Sequence, residues 1–303
     1  MQLFSSRLRA VSLVLLFVFT SSWSATARAE PLPAPGEHRI IWKYPKFRGW
    51  EFSTVIGISL TALSWEIKSS EFSPPNDRRG ILFDDAVRDR LHSTSRDTRV
   101  MAGKVSDIMW NTVQWYPIVI DSLLFPLAFD RGNTEVASQM LLMDWQVQAL
   151  TFLVLRTGTH IIGRQRPSFQ ECQRDHNYEG SCDEPYASFF SGHAAMAFSG
   201  AALTCEHHAA LAIYGSDFAG ATACVATLTA ATMTGVLRIV ADRHWTSDVI
   251  FGAVTGLGLG LGLPRLLHYG LTIQRDDGGA RTTFALMPLV SDTMAGLSVV
   301  ALQ

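Results

Sequence analysis

The stretch from Arg238 to Asp248 combines three residue types that can transfer a phosphoryl group. His244 follows Arg238 by six residues, and Asp248 follows His244 by four. If the chain is helical from Thr246 onward, His244 and Asp248 lie one turn apart, and the carboxylate can orient the imidazole. An oriented histidine beside an arginine can attack a phosphorus centre at neutral pH. An ordinary helix start with solvated polar residues explains the same stretch, so by itself it leaves both interpretations open.

Two further polar clusters lie at the boundaries of apolar segments. Arg166 and Pro167 follow one such segment, and a helix is expected to end here because proline does not readily continue it. Ser191, Gly192 and His193 precede the next segment, where a helix N-terminus offers unpaired N–H groups to an anion. Each cluster has a structural alternative, namely an arginine at a helix end and an N-cap followed by a buried histidine.

The three clusters together contain the parts of a phosphoryl-transfer site. Arg166 and Arg238 carry planar, permanently charged groups that suit phosphate oxygens. Of the two histidines, one can attack phosphorus while the other protonates the leaving oxygen. All three clusters occur at boundaries of apolar segments. This arrangement favours the catalytic interpretation over three unrelated helix ends.

The apolar segments that flank these residues predict an all-α fold. We expect a bundle of about five to six apolar helices with the active site at the helix ends. The apolar segments are about 50–67, 113–129, 136–162, 188–212, 217–240 and 246–268. The segments from 188 onward are rich in small residues, which let helix backbones approach closely. After Leu271 the pattern changes, and Thr282–Met287 and Gly296–Leu302 predict the two strands of a small C-terminal β-hairpin-like tail.

With these motifs the chain resembles the type 2 phosphatidic acid phosphatase and vanadium haloperoxidase superfamily. That family carries Lys-x6-Arg-Pro, then Ser-Gly-His, then Arg-x5-His-x3-Asp. The resemblance covers about residues 136–268 of this sequence. The matching residues, in chain order, are Arg166, Pro167, Ser191, Gly192, His193, Arg238, His244 and Asp248.

The resemblance implies a role for each matched residue. His244 is the nucleophile that forms a phosphohistidine, Asp248 holds its tautomer, and His193 is the general acid. No metal ion and no other cofactor are required in this scheme. The expected substrate-binding residues are Arg166, Arg238, Ser191, Gly192 and Thr159.

Thr159 is where the sequence departs from the family pattern. The family's lysine is expected seven residues before Arg166, and this position holds Thr159. The change removes a cation from the phosphate site, which Arg156 or Arg164 could replace. We therefore expect a phosphatase with reduced affinity for phosphate.

Residues 1–29 have the pattern of a secretory signal peptide. Arg7 and Arg9 precede the apolar run Val11–Thr20, and a small-x-small site ends at Ala29. An uncleaved signal anchor is the alternative. The expected organisation is a signal peptide at 1–29, an N-terminal lead-in at 30–135, a catalytic core at 136–270 and a tail at 271–303.

Export would place the cysteines in an oxidising compartment. Cys172 and Cys182 flank a short polar stretch, and a disulfide between them is expected in an oxidising compartment. Cys205 and Cys224 lie in alanine-rich segments and are expected to be buried as small apolar residues. The pair His207 and His208 is expected at a helix end near solvent.

The membrane topology is left with two alternatives. If segments 50–67, 113–129 and 136–162 all cross a membrane, Arg166 ends in the cytoplasm, which conflicts with an extracytoplasmic site. Either 113–129 does not cross, or the bundle is a soluble or peripheral envelope domain, as the mean hydropathy of +0.15 suggests. We favour membrane association, with the active site outside the cytoplasm, because substrates of the family are often lipids.

The predicted function is hydrolysis of phosphate mono- or diphosphate esters. The expected substrate is a phosphorylated lipid or a small phosphate ester. The alternatives are an inactive or repurposed envelope protein of the same fold and a vanadate-dependent haloperoxidase, against which the missing lysine argues. A formal net charge of -2 gives no reason to expect a nucleic-acid partner.

Overall fold

The computed structural model describes residues 39–67, 79–178, 182, 184–272, 283–291 and 294–302. The predicted signal peptide and Thr282, the first residue of a predicted strand, lie outside these residues. The described residues form eight α-helices. In chain order they are α1 (Gly49–Ile67), α2 (Asp84–Leu91), α3 (Arg96–Tyr116), α4 (Thr134–Ile162), α5 (Phe169–Arg174), α6 (Gly192–Ala210), α7 (Asp217–Val240) and α8 (Thr246–Pro264).

Local sequence signals explain where α4 begins and ends. The side chain of Asn133 accepts a hydrogen bond from Val136 N at 3.2 Å and so caps the N-terminus of α4. The helix ends at Gly163, whose φ of 54° is the left-handed conformation that glycine adopts without steric cost. Pro167 follows shortly afterwards. These signals carry the chain out of α4 and into the loop that holds Arg166.

Helix α6 is the centre of the bundle and contacts α3, α4, α7 and α8. Five of its alanines are fully buried: Ala194, Ala195, Ala197, Ala201 and Ala202. Helix α8 approaches α6 through glycines, since a Cβ added at Gly252 would lie 2.6 Å from Ser191 O and one at Gly256 would overlap Ala195 O. Small residues therefore bring the two helices into backbone contact, as the composition predicts.

Two of the helices continue with wider, π-helical turns. Helix α3 runs into Pro117–Phe129, and α8 runs into Arg265–Tyr269. The apolar segment predicted at 113–129 is helical, and it continues the helix that begins at Arg96. Helices α2 and α3 are separated by a break after Leu91.

Three helices of the described part are long and apolar enough to cross a membrane. They are Arg96–Phe129, Asp217–Val240 and Thr246–Tyr269. Large apolar side chains on them are exposed, including Ile108, Val225 and Val254. Such a surface is typical of a membrane protein. The segment 113–129, for which we considered a non-spanning position, belongs to the first of these helices.

The C-terminal residues form a three-stranded antiparallel sheet in the order β1 (Leu271–Thr272), β2 (Thr283–Ser291) and β3 (Met294–Leu302). Strands β2 and β3 are a hairpin in which Ser291 pairs with Met294. The all-α bundle with a small β tail is thus confirmed, and the short strand β1 is added to the predicted hairpin.

The end of α6 opposite Gly192 corrects two predictions. His207 is fully buried rather than near solvent, and its ring nitrogens lie 2.7 Å from Tyr269 Oη and 2.8 Å from Asp144 Oδ1. Cys205 and Cys224 form a disulfide between α6 and α7 instead of packing as free thiols. The predicted disulfide between Cys172 and Cys182 is present.

Candidate active site

The residues selected from the sequence come together in one cavity of about 260 Å³. The predicted residues that line this cavity are Thr159, Arg166, Gly192, His193, Arg238 and His244. Ser191 and Asp248 lie behind them: the Ser191 side chain accepts a hydrogen bond from Ala194 N at 3.4 Å, and Asp248 O accepts one from Ser191 N at 3.1 Å.

The bundle topology explains why these residues meet. Helices α4 and α7 end where α6 and α8 begin, because successive long helices run in opposite directions. The loop after α4 carries Arg166, and the last turn of α7 carries Arg238. Gly192 lets α6 start against α4, since a Cβ here would lie 2.8 Å from Leu155 Cδ2.

The orientation of His244 is set by a backbone carbonyl. Its Nδ1 lies 2.8 Å from Ser188 O, and the side chain is buried. A carbonyl oxygen only accepts hydrogen bonds, so Nδ1 carries the proton. In the neutral ring Nε2 then keeps its lone pair. This tautomer is the one that a histidine nucleophile needs.

Asp248 does not hold this ring directly, which corrects the contact expected from the sequence. Its Oδ2 accepts hydrogen bonds from Ser188 Oγ at 2.6 Å and from Trp245 N at 3.1 Å. Its Oδ1 accepts one from Arg164 Nη1 at 2.5 Å. The i, i+4 spacing brings Asp248 close to His244 without a direct contact. Asp248 instead holds the side chain of Ser188, the residue whose carbonyl orients His244.

Arg164 belongs to this supporting network and does not line the cavity. Its Nη2 donates to Asp84 Oδ2 at 2.8 Å, while Nη1 is held by Asp248. Asp84, at the start of α2, also accepts a hydrogen bond from Ser247 N at 2.8 Å. Arg164 is therefore committed to two buried carboxylates. It does not compensate for the missing lysine.

Asp107 on α3 is a site residue that the sequence reasoning missed. Its Oδ1 lies 2.9 Å from His193 Nε2 and accepts a hydrogen bond from Arg238 Nη1 at 2.9 Å. One carboxylate thus contacts both the proposed general acid and one of the phosphate-binding arginines. Asp107 lies far from the three motifs in sequence, and only the packing of α3 against α6 and α7 brings it here.

Desolvation and neighbouring positive charges both favour neutral histidines in the cavity. Burial lowers the pKa of His244 well below its usual 6.5, and the charges of Arg238 and Arg166 lower it further. Burial and Arg238 lower the pKa of His193 to about 4, against the opposing effect of Asp107. Both rings are therefore neutral near pH 7 unless a further negative charge enters the cavity.

Thr159 lines the cavity but offers it little. Its hydroxyl donates to Leu155 O at 3.0 Å, within its own helix. Arg166 forms an ion pair with Glu184, Nη2 to Oε2 at 3.6 Å, and Glu184 also lines the cavity. Arg156, one turn before Thr159, is a further cation in the cavity wall.

The rest of the wall is mainly apolar. It is formed by side chains including Trp110, Phe152, Leu155, Phe190 and Met196. The cavity therefore combines cationic residues, suited to phosphate, with apolar residues, suited to an organic group. Among the described residues no group of three or more His, Cys, Asp or Glu side chains is arranged to hold a metal ion.

Comparison with known proteins agrees with this site. Residues 140–271 match the family model described as PAP2 superfamily. The resemblance predicted from the motifs is therefore confirmed over this segment. The chain is also similar to a Lipid A 1-phosphatase of Porphyromonas gingivalis (strain ATCC 33277), at 32% identity over 130 residues.

This similarity covers 43% of the present chain and 24% of the relative. The chain thus spans about a quarter of the length of the curated relative that it matches. No solved structure is significantly similar to the chain.

Proposed function

We propose that the protein is a phosphoric ester hydrolase that acts on lipid-borne phosphate mono- or diphosphate esters. One observation carries this proposal: His244 is fixed with Nε2 as its free nitrogen in a cavity that also contains His193, Arg166 and Arg238. This is the arrangement that nucleophilic attack on a phosphoryl group requires. The family match and the similarity to a Lipid A 1-phosphatase support it.

The proposed reaction has two steps. Arg166, Arg238 and the N–H groups at the start of α6 hold the phosphoryl oxygens. His244 Nε2 attacks phosphorus, the bond to the ester oxygen breaks, and His193 donates a proton to that oxygen. Water, deprotonated by His193, then attacks the phosphohistidine, and inorganic phosphate leaves. The sum is ester plus water giving alcohol plus phosphate.

The electrostatics of the cavity support attack by His244 and proton donation by His193. The low pKa of His244 keeps its nucleophilic nitrogen unprotonated at neutral pH. The proton on His193 needs a source of stabilisation, because its pKa is about 4. A phosphate dianion between Arg166 and Arg238 opposes their charge and raises the pKa of His193. Binding of substrate would therefore prepare its own general acid.

A lipid-borne substrate fits both the cavity and the protein surface. Aromatic and aliphatic side chains form much of the cavity wall. Exposed apolar residues cover the outer faces of α7 and α8, including Phe218, Val225 and Phe251. A lipid could thus keep its chains in the bilayer while its phosphate reaches His244. We propose a membrane-associated enzyme on this basis.

We also propose export to the cell envelope with an extracytoplasmic active site. The signal-like pattern of residues 1–29 supports export. The disulfide between Cys172, on α5, and Cys182 lies in the segment that follows Arg166, and disulfides persist in oxidising compartments. Both features are consistent with a cavity that opens outside the cytoplasm.

The proposed domain organisation keeps the signal peptide at 1–29 and the tail at 271–303 but extends the catalytic unit. Asp84 and Asp107 both lie in the lead-in 30–135, and they contact Arg164 and His193 of the core. A core limited to residues 136–270 would lose both carboxylates. We therefore propose that the catalytic unit includes α2 and α3.

Phosphate release by the purified full chain in detergent tests the function. We expect hydrolysis of a lipid phosphate panel and of p-nitrophenyl phosphate, with inhibition by vanadate. His244→Ala is expected to abolish both activities, while Asp97→Asn, a change at an exposed residue of α3, retains them. Failure of the wild-type protein to release phosphate from any ester would instead support an inactive or repurposed protein.

A further inference from the structure

Arg156 is a third arginine in the wall of the cavity, and the proposed reaction does not use it. It lies on α4, one helical turn before Thr159, and both residues line the cavity. The Thr159 hydroxyl is engaged with Leu155 O. In this part of the wall the charge available to a ligand is therefore that of Arg156.

The guanidinium of Arg156 has a donor that an anion in the cavity can use. Its Nη2 forms an ion pair with Glu66 in the last turn of α1. Its Nε is buried and has no hydrogen-bond partner among the described residues. A buried N–H without an acceptor is costly, and an anion in the cavity would supply one. Glu66 is 43% exposed, so its carboxylate can move into solvent when a competing anion arrives.

The direction of the side chain shows which part of the cavity Arg156 faces. Helical side chains lean toward the N-terminus of their helix. In agreement, the guanidinium carbon lies 5.2 Å from the centre of the Phe152 ring, one turn earlier. Arg156 therefore extends away from the end of α4 that leads to Arg166. Its guanidinium lies beside Phe152, an apolar residue of the cavity wall, and we place the leaving group of the ester in this part of the cavity.

We infer that Arg156 binds a second anionic group of the substrate, the one that departs with the leaving group, and that Glu66 occupies this arginine when no substrate is bound. The inference rests on the proposed function and specifies its substrate class as a diphosphate ester. His244 attacks the terminal phosphorus, and the bond to the bridging oxygen breaks. The departing monophosphate ester takes the proton of His193, and its remaining charge is stabilised by Arg156.

Ligand binding to the purified full chain tests the inference without relying on turnover. The two probes are inorganic phosphate and methylenediphosphonate, a diphosphate analogue whose P–C–P bridge is not hydrolysed, measured by titration calorimetry. Arg156→Gln is expected to weaken methylenediphosphonate binding on the order of tenfold and to leave phosphate binding within about twofold. Arg156→Lys should restore part of the loss, because it keeps the charge.

Two further variants control this experiment. Glu66→Gln removes the competing carboxylate and is expected to tighten methylenediphosphonate binding. Arg90→Gln removes a positive charge from an exposed position of α2 and is expected to change neither affinity. The opposite effects of changes at Glu66 and Arg156 distinguish a binding role from a loss of folding.

The outcomes separate this inference from the proposed function. Equal weakening of both probes by Arg156→Gln would place Arg156 on the reacting phosphoryl group and overturn the inference. Unchanged affinities, or no binding of methylenediphosphonate by the wild-type protein, would overturn it as well. If the wild-type protein hydrolyses no ester but Arg156→Gln still selectively weakens the diphosphonate, the proposed function fails, while the assignment of Arg156 as a ligand of a second anionic group stands.

Discussion

Asp107→Asn is the substitution whose effect follows most directly from the site. The Asp107 carboxylate contacts His193 Nε2 and Arg238 Nη1, both at 2.9 Å. It helps to keep a proton on His193, and it also occupies an arginine that the phosphate needs. Removing its charge therefore weakens proton donation by His193 and releases Arg238 for phosphate binding. We expect kcat to fall and KM to fall with it.

The magnitude follows from the hydrogen bond to His193. A hydrogen bond to a charged group contributes about 1.5–3 kcal/mol, and the side chain of Asp107 is 46% exposed, so the lower end applies. A loss of about 1.4 kcal/mol in the transition state lowers kcat about tenfold. The fall in KM should be smaller, because Arg238 provides one of several contacts to the phosphoryl group.

The pH profile separates this effect from a general loss of structure. His193 acts as an acid below its pKa, so its contribution is present at low pH and is lost as the pH rises through that pKa. Asp107 raises the pKa of His193 against burial and Arg238. Without the carboxylate, the loss of kcat is expected at lower pH than in the wild-type protein.

The assay is steady-state hydrolysis of a lipid phosphate and of p-nitrophenyl phosphate over a range of pH. The loss should be larger for the lipid phosphate, because p-nitrophenolate leaves readily without a proton. Asp97→Asn is the matched control on the same helix, since its side chain is 96% exposed. An unchanged kcat, or a KM that rises, would refute the assignment of Asp107.

The remaining predictions concern the support of His244 and the missing lysine. Asp248→Asn places an amide N–H against a donor, either Arg164 or Ser188. The variant is expected to destabilise the protein by about 3 kcal/mol and to lower kcat, as measured by thermal unfolding and steady-state kinetics. Normal stability and activity in this variant would contradict the network. Thr159→Lys adds a cation to the cavity and is expected to lower KM for a monophosphate several-fold. Unchanged KM and kcat in this variant would show that the position does not limit binding. Raising the pH through the pKa of His193 in the substrate complex should lower kcat in the wild-type protein, and a rate that rises continuously to pH 9 would argue against a protonated His193.

Much of the site could be predicted from the sequence because helix boundaries carry local signals. Pro167 predicted the end of a helix and Ser191 the N-cap of another, and both features are present. Successive helices in a bundle alternate in direction, so residues at these boundaries meet at one end. The family motif then specified which of the boundary residues to combine.

The contacts that the sequence did not reveal are non-local or involve the backbone. Asp107 and Asp84 reach the site only through the packing of α2 and α3, which no motif describes. The partner of His244 is the carbonyl of Ser188. Every residue has a backbone carbonyl, so the residue type at position 188 does not indicate this contact. The disulfide between Cys205 and Cys224 depends on the register of α6 against α7, which composition does not determine.

The central claim is that His244 Nε2 attacks phosphorus, and trapping the intermediate tests it most directly. With p-nitrophenyl phosphate the leaving group needs no proton, whereas hydrolysis of the intermediate needs a base. In His193→Ala the phosphorylated enzyme should therefore accumulate after a burst of p-nitrophenolate. Rapid quenching followed by peptide mass spectrometry is predicted to find one acid-labile phosphoryl group, on His244. A phosphoryl group on another residue, or none under burst conditions, would contradict the account.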